Sequence, residues 1–299
     1  MNAIEIRNLS KSFRGMYAVD HLSMTVPQGA IYGFIGENGS GKSTTEKLIC
    51  GHLVPDGGEI KLFGRDYTDP GVRVRVGALI ENAGCFPGSS VYQNLMMQCI
   101  NLGIENADEE IRRVLEIVRM EDNANIKFKS CSLGMKQRIG IAMALLGDPA
   151  LLILDEPING LDTDGMRIMR EILVDITKKY GCTVLISSHI LGELEKIATH
   201  YGIIRHGKMI VEMTADELDA SCRTYIALQS AEMNRTKMLL GCKYSRVEED
   251  EAGYIRVYDL TTPEEIVTYL YENGICVTEV GTDKIGLEEY YIDLMKGGK

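Results

Sequence analysis

The stretch Gly36-Glu37-Asn38-Gly39-Ser40-Gly41-Lys42-Ser43-Thr44 decides the fold. It follows the apolar run Ile31–Ile35 and opens a helical pattern over Ser43–Cys50. A strand, a glycine-rich loop and a helix in that order, with the spacing GxxxxGK[ST], predict a phosphate-binding loop. Gly36, Gly39 and Gly41 let backbone amides point inward and cradle phosphate oxygens, and Asn38 belongs to the same predicted nucleotide-binding set. The helix adds its positive N-terminal end. Lys42 supplies a point charge, Ser43 a hydroxyl for Mg²⁺, and Thr44 a hydrogen bond to a phosphate. The loop is therefore expected to hold the phosphates of a nucleotide together with Mg²⁺.

Outward from the loop, Val76–Ile80, Leu151–Leu154 and Thr183–Ile186 read as further buried strands of a parallel sheet. Gly165–Lys179 and Ile190–Thr199 read as helices between them, the pattern of an α/β core with crossover helices. Residues 1–30 differ. Ile4–Leu9 and Leu22–Val26 alternate, and Pro27-Gln28-Gly29 is a turn, which predicts a small antiparallel sheet. From Glu81 to about Gly147 the helical pattern dominates, so a helical subdomain is expected at about 82–147. After Glu212 the pattern changes again. Tyr254–Val257 and Cys276–Val280 read as strands, and Pro263–Glu272 and Gly286–Met295 as helices. The acidic run Glu248-Glu249-Asp250-Glu251 reads as a solvated loop. These shifts divide the chain into a domain at 1–212 that carries the phosphate loop and a C-terminal α+β accessory domain at 213–299.

Composition sets outer limits. Of 299 residues, 45% are hydrophobic, enough for a substantial core, which argues against a disordered chain. With 32 Lys+Arg against 43 Asp+Glu the net charge is −11, which argues against a nucleic-acid partner held along a broad surface. The most apolar stretch, Ile139–Leu146, is far shorter than the roughly 20 residues of a spanning helix. The N-terminal stretch lacks the apolar core of a signal peptide. The eight cysteines, at 50, 85, 99, 131, 182, 222, 242 and 276, form no CxxC pair and read as free thiols of a reducing cytosol.

The strand Leu151–Leu154 ends in Asp155-Glu156-Pro157. Two adjacent carboxylates at the tip of a buried strand are costly unless they face a cation or a reacting water. Asp155 is placed to hold Mg²⁺ and Glu156 to polarise the water that attacks the γ-phosphate. Upstream, Ser132 in Cys131-Ser132-Leu133-Gly134-Met135-Lys136-Gln137-Arg138 is a good N-cap for the helix Lys136–Leu146. Ser132, Gly134 and the free helix amides predict a second anion site, one that grips a γ-phosphate from the opposite side.

The chain resembles the ATP-binding subunit of an ABC (ATP-binding cassette) transporter over residues 1 to about 212. The resemblance rests on GENGSGKST (36–44), CSLGMKQR (131–138), LLILDEP (151–157), NGLD (159–162) and SSH (187–189), in that order. It implies a P-loop NTPase fold with an α/β core, an antiparallel β-subdomain and a helical subdomain. It also implies a role for Phe13 stacking on adenine, for Asp162 beside the opposing phosphate loop of a dimer, and for His189 contacting the γ-phosphate. One chain carries one phosphate loop and one signature, so the implied assembly is a head-to-tail pair with a second copy or a homologous ATPase subunit. A separate transmembrane permease would complete the transporter and hold this chain on the cytoplasmic face of the membrane. Residues 81–102 would dock on that permease, with Phe86 and Tyr92 as contacts.

Two departures stand out. The usual signature LSGGQ reads Cys131-Ser132-Leu133-Gly134-Met135, and the usual glutamine after strand Val76–Ile80 is Glu81. Glu81 is expected near Mg²⁺ or the attacking water. The combination LIE-x-x-G-x-F/Y-P and SLGMKQR resembles the branch that exports bacitracin- and lantibiotic-like peptides, including producer self-immunity systems. Leu287-Glu288-Glu289-Tyr290-Tyr291-Ile292-Asp293-Leu294 resembles a short C-terminal motif of that branch. The rival reading is a non-transport ABC ATPase of translation or DNA repair. The first kind usually carries two cassettes and the second long coiled coils, and neither feature is visible.

Overall fold

In a computed structural model, residues 1–221, 224–250, 252–259 and 261–297 are described. The chain forms two compact units, Met1–Ala215 and Asp216–Lys299.

The first unit opens with two long strands, β1 (Asn2–Phe13) and β2 (Met16–Pro27), and continues through β3 (Ile31–Ile35) into α1 (Lys42–Ile49). Then come β4 (Gly57–Leu62), β5 (Arg65–Asp66), α2 (Pro70–Arg73) and β6 (Val76–Leu79). A helical part follows, with α3 (Val91–Leu102), α4 (Ala107–Ile117) and α5 (Leu133–Leu145). The unit closes with β7 (Leu151–Asp155), α6 (Thr163–Tyr180), β8 (Thr183–Ser188), α7 (Leu191–Leu194), β9 (His200–Arg205) and β10 (Lys208–Thr214).

Two sheets organise these elements. One is antiparallel, in the order β2-β1-β4-β5. The other runs β10-β9-β3-β8-β7-β6 and is parallel except at its β10 edge. Strands β3, β7 and β8 lie in its interior and carry nearly unbroken apolar runs, as strands covered on both faces must. One core cluster joins the sheets: Ile4, Leu9, Leu22 and Ile60 from the first pack with Tyr32, Phe34, Leu151 and Leu185 of the second. This is the α/β architecture with a β-subdomain and a helical part that the motifs imply.

Local chemistry fixes the helical part. Ser90 and Gln93 form a reciprocal capping box at the start of α3. Buried Asn94 accepts from the Phe86 amide at 2.7 Å and donates to the Phe86 and Ser90 carbonyls, which pins the preceding loop. Helix α5 begins at Leu133, three residues before the sequence expectation, because Ser132 caps it by accepting from the Met135 amide. The helix expected over Ile190–Thr199 shrinks to the four residues of α7. Leu191, Leu194 and Ala198 are buried at helical spacing, but turns supply the rest of that path.

The boundary between the units falls after the first residue of α8 (Ala215–Ser221), and the second unit continues with β11 (Thr224–Ser230), α9 (Met233–Lys243), β12 (Val247–Glu249) and β13 (Ile255–Val257). It ends with α10 (Pro263–Glu272), β14 (Val277–Lys284) and α11 (Leu287–Gly297). The sheet order β12-β13-β11-β14, with every pair antiparallel, is that of a split βαβ, ferredoxin-like unit. Ile226, Leu228, Ile255 and Val257 face Leu240, Ile266 and Leu270 of its helices. On the opposite side of the alternation, Arg256 stacks over Tyr225. Part of the acidic run is strand rather than loop. Glu248 and Glu249 lie on β12, held by pairing with β13 and by ion pairs to Arg246 and Lys237, and Asp250 pairs with Arg256. Glu251 lies outside the described residues.

The cysteines at 50, 85, 99, 131, 182, 242 and 276 are free thiols, and Cys222 lies outside the described residues. Burial pushes the Cys50 and Cys182 thiols up to about 12. Among the described residues no helix is long and apolar enough to cross a membrane.

Candidate functional site

The sheet brings three sequence-distant segments to one end. The loop after β3, the tip of β7 and the tip of β8 are neighbours because β8 lies between β3 and β7 in parallel register, with Asp155 opposite Ser187. The carboxyl ends of parallel strands are where open α/β sheets form ligand crevices. Here they border a cavity of about 220 Å³ lined by Asn38, Gly39, Gly41, Lys42, Ser43, Thr44, Asp155 and Glu156, with Ala18 from β2.

The loop's conformation depends on its glycines at two points. Gly41 has φ +112°, and a Cβ there would stand 2.4 Å from the Ala18 carbonyl oxygen. At Gly36 a Cβ would meet the Ile204 carbonyl oxygen at 2.6 Å. Lys42 is buried, and its ammonium donates to the Gly36 and Glu37 carbonyls at 2.6 and 3.2 Å. Its Nζ stands 3.8 Å from Oε1 of Glu156. The other carboxylate oxygen of Glu156, Oε2, is 2.7 Å from Nδ1 of His189. The Glu156 carboxylate is thus held between a lysine and a histidine. Its backbone has φ +50°, a left-handed conformation that non-glycine residues hold at a cost and that recurs at functional positions.

Ser187, which the sequence reading passed over, ties the site together. Its hydroxyl donates to Oδ1 of Asp155 at 2.8 Å and accepts from the Glu156 amide at 3.1 Å. The motif SSH contains Ser187, but its partners are set by the register of β7 and β8, which local sequence does not display. Glu46 was missed as well. It lies on α1 one turn beyond Lys42 and is fully buried. Burial and the neighbouring Asp155 push its carboxyl up to about 8.

The remaining sequence-predicted residues lie outside this cavity. Phe13, at the end of β1, is 45% exposed, with the Lys11 ammonium 5.7 Å from its ring centre. Ser132 and Gly134 begin α5, and Asp162 caps α6 by accepting from the Gly165 amide at 3.0 Å. These two helix starts adjoin: a Cβ on Gly134 would lie 3.6 Å from Leu161, and one on Gly160 would lie 3.0 Å from Leu133. Glu81, at φ +64°, pairs with Lys47 of α1 at 2.5 Å. It lines a second cavity of about 470 Å³ with Asn82, Cys85, Phe128, Lys136 and Gln137. Phe86 is 60% exposed, and the Tyr92 hydroxyl donates to Asp108.

Comparison with known proteins places this geometry. The profile of the ABC transporter family matches residues 19–159. The bacitracin transport ATP-binding protein BcrA of Bacillus licheniformis is 37% identical over 99% of this chain and 98% of its own length. The lantibiotic transport ATP-binding protein SrtF of Streptococcus pyogenes is 38% identical over 71% of this chain and 91% of its own. A solved structure described as the ATP-binding subunit of an ABC transporter is 27% identical, with a TM-score of 0.65, over 73% of this chain and 92% of that one. With relatives alike over their whole length and a phosphate loop facing an Asp-Glu strand tip, the chain belongs to the ATP-binding, ATP-hydrolysing subunits of ABC transporters.

Proposed function

We propose that this chain powers export of an antimicrobial peptide, drug or similar amphiphile through a separate transmembrane permease. The observation that carries the chemistry is the convergence of Lys42, Asp155, Glu156 and His189 at the ends of adjacent strands. In this reading Gly36, Asn38, Gly39, Gly41, Lys42 and Thr44 hold the phosphates of ATP, and Phe13 stacks on the adenine. Ser43 and Asp155 put a hydroxyl and a carboxylate into one cavity, an all-oxygen set that suits Mg²⁺. When bound, Mg²⁺ neutralises phosphate charge. Asp155 is oriented for it by the proton of Ser187. Glu156 takes the proton of the attacking water, and His189 fixes the carboxylate's direction.

Residues 1–212 serve as the ATP-binding domain, with 82–147 as its helical subdomain, and 213–299 as an accessory domain. Ser132 and Gly134 stand outside the cavity of their own chain, which supports a head-to-tail pair. Each ATP would then lie between one copy's Lys42 loop and the partner's Ser132 helix, with Asp162 beside the opposing loop. ATP bridging two copies gives closure its dependence on nucleotide. Residues 81–102, with Phe86 and Tyr92, would meet the permease and hold the chain on the inner face of the cell membrane. The relatives' names favour transport over the translation or DNA-repair alternative, and they favour peptide antibiotics as cargo.

Glu81 acts at Mg²⁺ or the attacking water only after leaving Lys47. An exposed pair of this kind holds by about 1 kcal/mol or less, so the move is inexpensive. Glu81→Gln is expected to change both the ATPase rate and its Mg²⁺ dependence. Unchanged values for both would remove Glu81 from the mechanism. For the cargo, cells lacking this chain are expected to lose tolerance to bacitracin or a lantibiotic, measured as growth across a concentration series. Tolerance unchanged to both peptides would refute that cargo class.

A further inference from the structure

The end of β1 that carries Phe13 is held by a side chain where a strand partner stops. The ladder between β1 and β4 ends where Ser10 lies opposite Gly57. Lys11, Ser12 and Phe13 run on past that point and pair with β2, Phe13 opposite Met16. Asp56, the residue before β4, meets them from the other flank. Its amide donates to the Ser10 carbonyl at 2.9 Å. Its Oδ2 accepts from the Ser12 amide at 2.7 Å and from the Ser12 hydroxyl at 2.8 Å. Its Oδ1 accepts from the Lys11 ammonium at 2.7 Å. A carboxylate thus continues the ladder that β4 leaves off. The Lys11 ammonium and the Ser12 donors pull this carboxyl down to about 2, so it is an anion throughout the neutral range.

The geometry connects these bonds to the nucleotide. Phe13 is 45% exposed, so packing alone does not fix its ring. The Lys11 ammonium that Asp56 holds lies over that ring, which leaves the opposite face for a base. Met16, across from Phe13, stands two residues along β2 from Ala18, a spacing of about 7 Å on a strand. Ala18 lines the phosphate cavity, so the ring stands beside the place a base would reach. We propose that Asp56 is a positioning residue for the nucleotide base, acting on Phe13 through Ser12 and Lys11. Charge-assisted bonds of this length are the stronger kind, and they set the strand end before ligand arrives. A ring already in place spares the base the cost of ordering it. The inference rests on the reading of Phe13 as the stacking residue.

The test uses the full-length chain with Asp56→Ala, Asp56→Asn, Phe13→Ala and the double variant Asp56→Ala/Phe13→Ala. Each is titrated with ATP and with inorganic tripolyphosphate, both with Mg²⁺, and kcat and KM are measured for ATP. Tripolyphosphate carries the phosphates and no base, so it reports the phosphate loop alone. Phe13→Ala is expected to weaken ATP binding by about tenfold, the loss of one stacked base. Asp56→Ala is expected to weaken ATP by about fivefold through lost preorganisation, with tripolyphosphate affinity unchanged. KM should rise while kcat is kept. Asp56→Asn keeps an oxygen acceptor for Ser12 and is expected to recover most of the affinity. Adding Asp56→Ala to Phe13→Ala is expected to cost little more than Phe13→Ala alone, because both act on one ring. Should Asp56→Ala not fold, Lys11→Met takes its place, since it removes the cation over the ring and leaves Ser12 held. Wild-type ATP affinity in that variant, equal weakening of ATP and tripolyphosphate, or full additivity with Phe13→Ala would overturn the inference. Wild-type ATP affinity in Phe13→Ala would instead overturn the reading of Phe13 on which it rests.

Discussion

Replacing Glu156 by glutamine is expected to lower ATP turnover by about 10²–10⁴-fold, the usual contribution of a positioned proton acceptor. The substitution keeps the shape of a side chain wedged between Lys42 and His189. It removes the carboxylate that accepts the water's proton, and His189 then faces an amide in place of an anion. Nucleotide binding is expected to persist, because the loop glycines, Lys42 and Thr44 are untouched and one negative charge beside the phosphates is gone. Phosphate release should therefore collapse while a fluorescent ATP analogue still titrates. Wild-type turnover in Glu156→Gln would show that another residue takes the proton.

The second large effect is at Gly41, where an added methyl group meets backbone rather than a yielding side chain. Gly41 holds φ +112°, and alanine would bring its Cβ to 2.4 Å from the Ala18 oxygen. The strain alone is on the order of 1–3 kcal/mol, and relief of the overlap must move the loop or β2. Ala18 lines the same cavity as Lys42 and Ser43, so either movement displaces the phosphate cradle. Misplacement of about 1 Å can cost on the order of 10²-fold in rate. Gly41→Ala is expected to lose ATPase activity by at least about that factor and to melt lower. Gly192→Ala is the control, since nothing lies within 4 Å of its added Cβ and its φ is not positive. Equal behaviour of the two variants would contradict this account of the loop.

The phosphate loop and the strands around it were legible because their signals are local. Ile31–Ile35 and Leu151–Leu154 are unbroken apolar runs, and glycine spacing marks a turn whose backbone must face a ligand. Ser187 was not legible as a bridge, because Asp155 and Ser187 meet only through the parallel pairing of β7 with β8. Glu46 hides in an amphipathic pattern that gives no sign of being buried. The Lys47–Glu81 pair joins residues 34 apart across a tertiary contact. In the second unit, β12 and β13 have three residues each and the first is mostly acidic, so period-two alternation had no length in which to show. The shortened α7 is the converse case: helical spacing of buried residues arose from turns.

The central claim, an ATPase subunit that works through a separate permease, is tested most directly by isolating this chain from its own cells in a gentle detergent and identifying what accompanies it. The account predicts a polytopic membrane protein at near-stoichiometric ratio. Recovery of ribosomal or DNA-repair proteins, with no membrane protein, would contradict it.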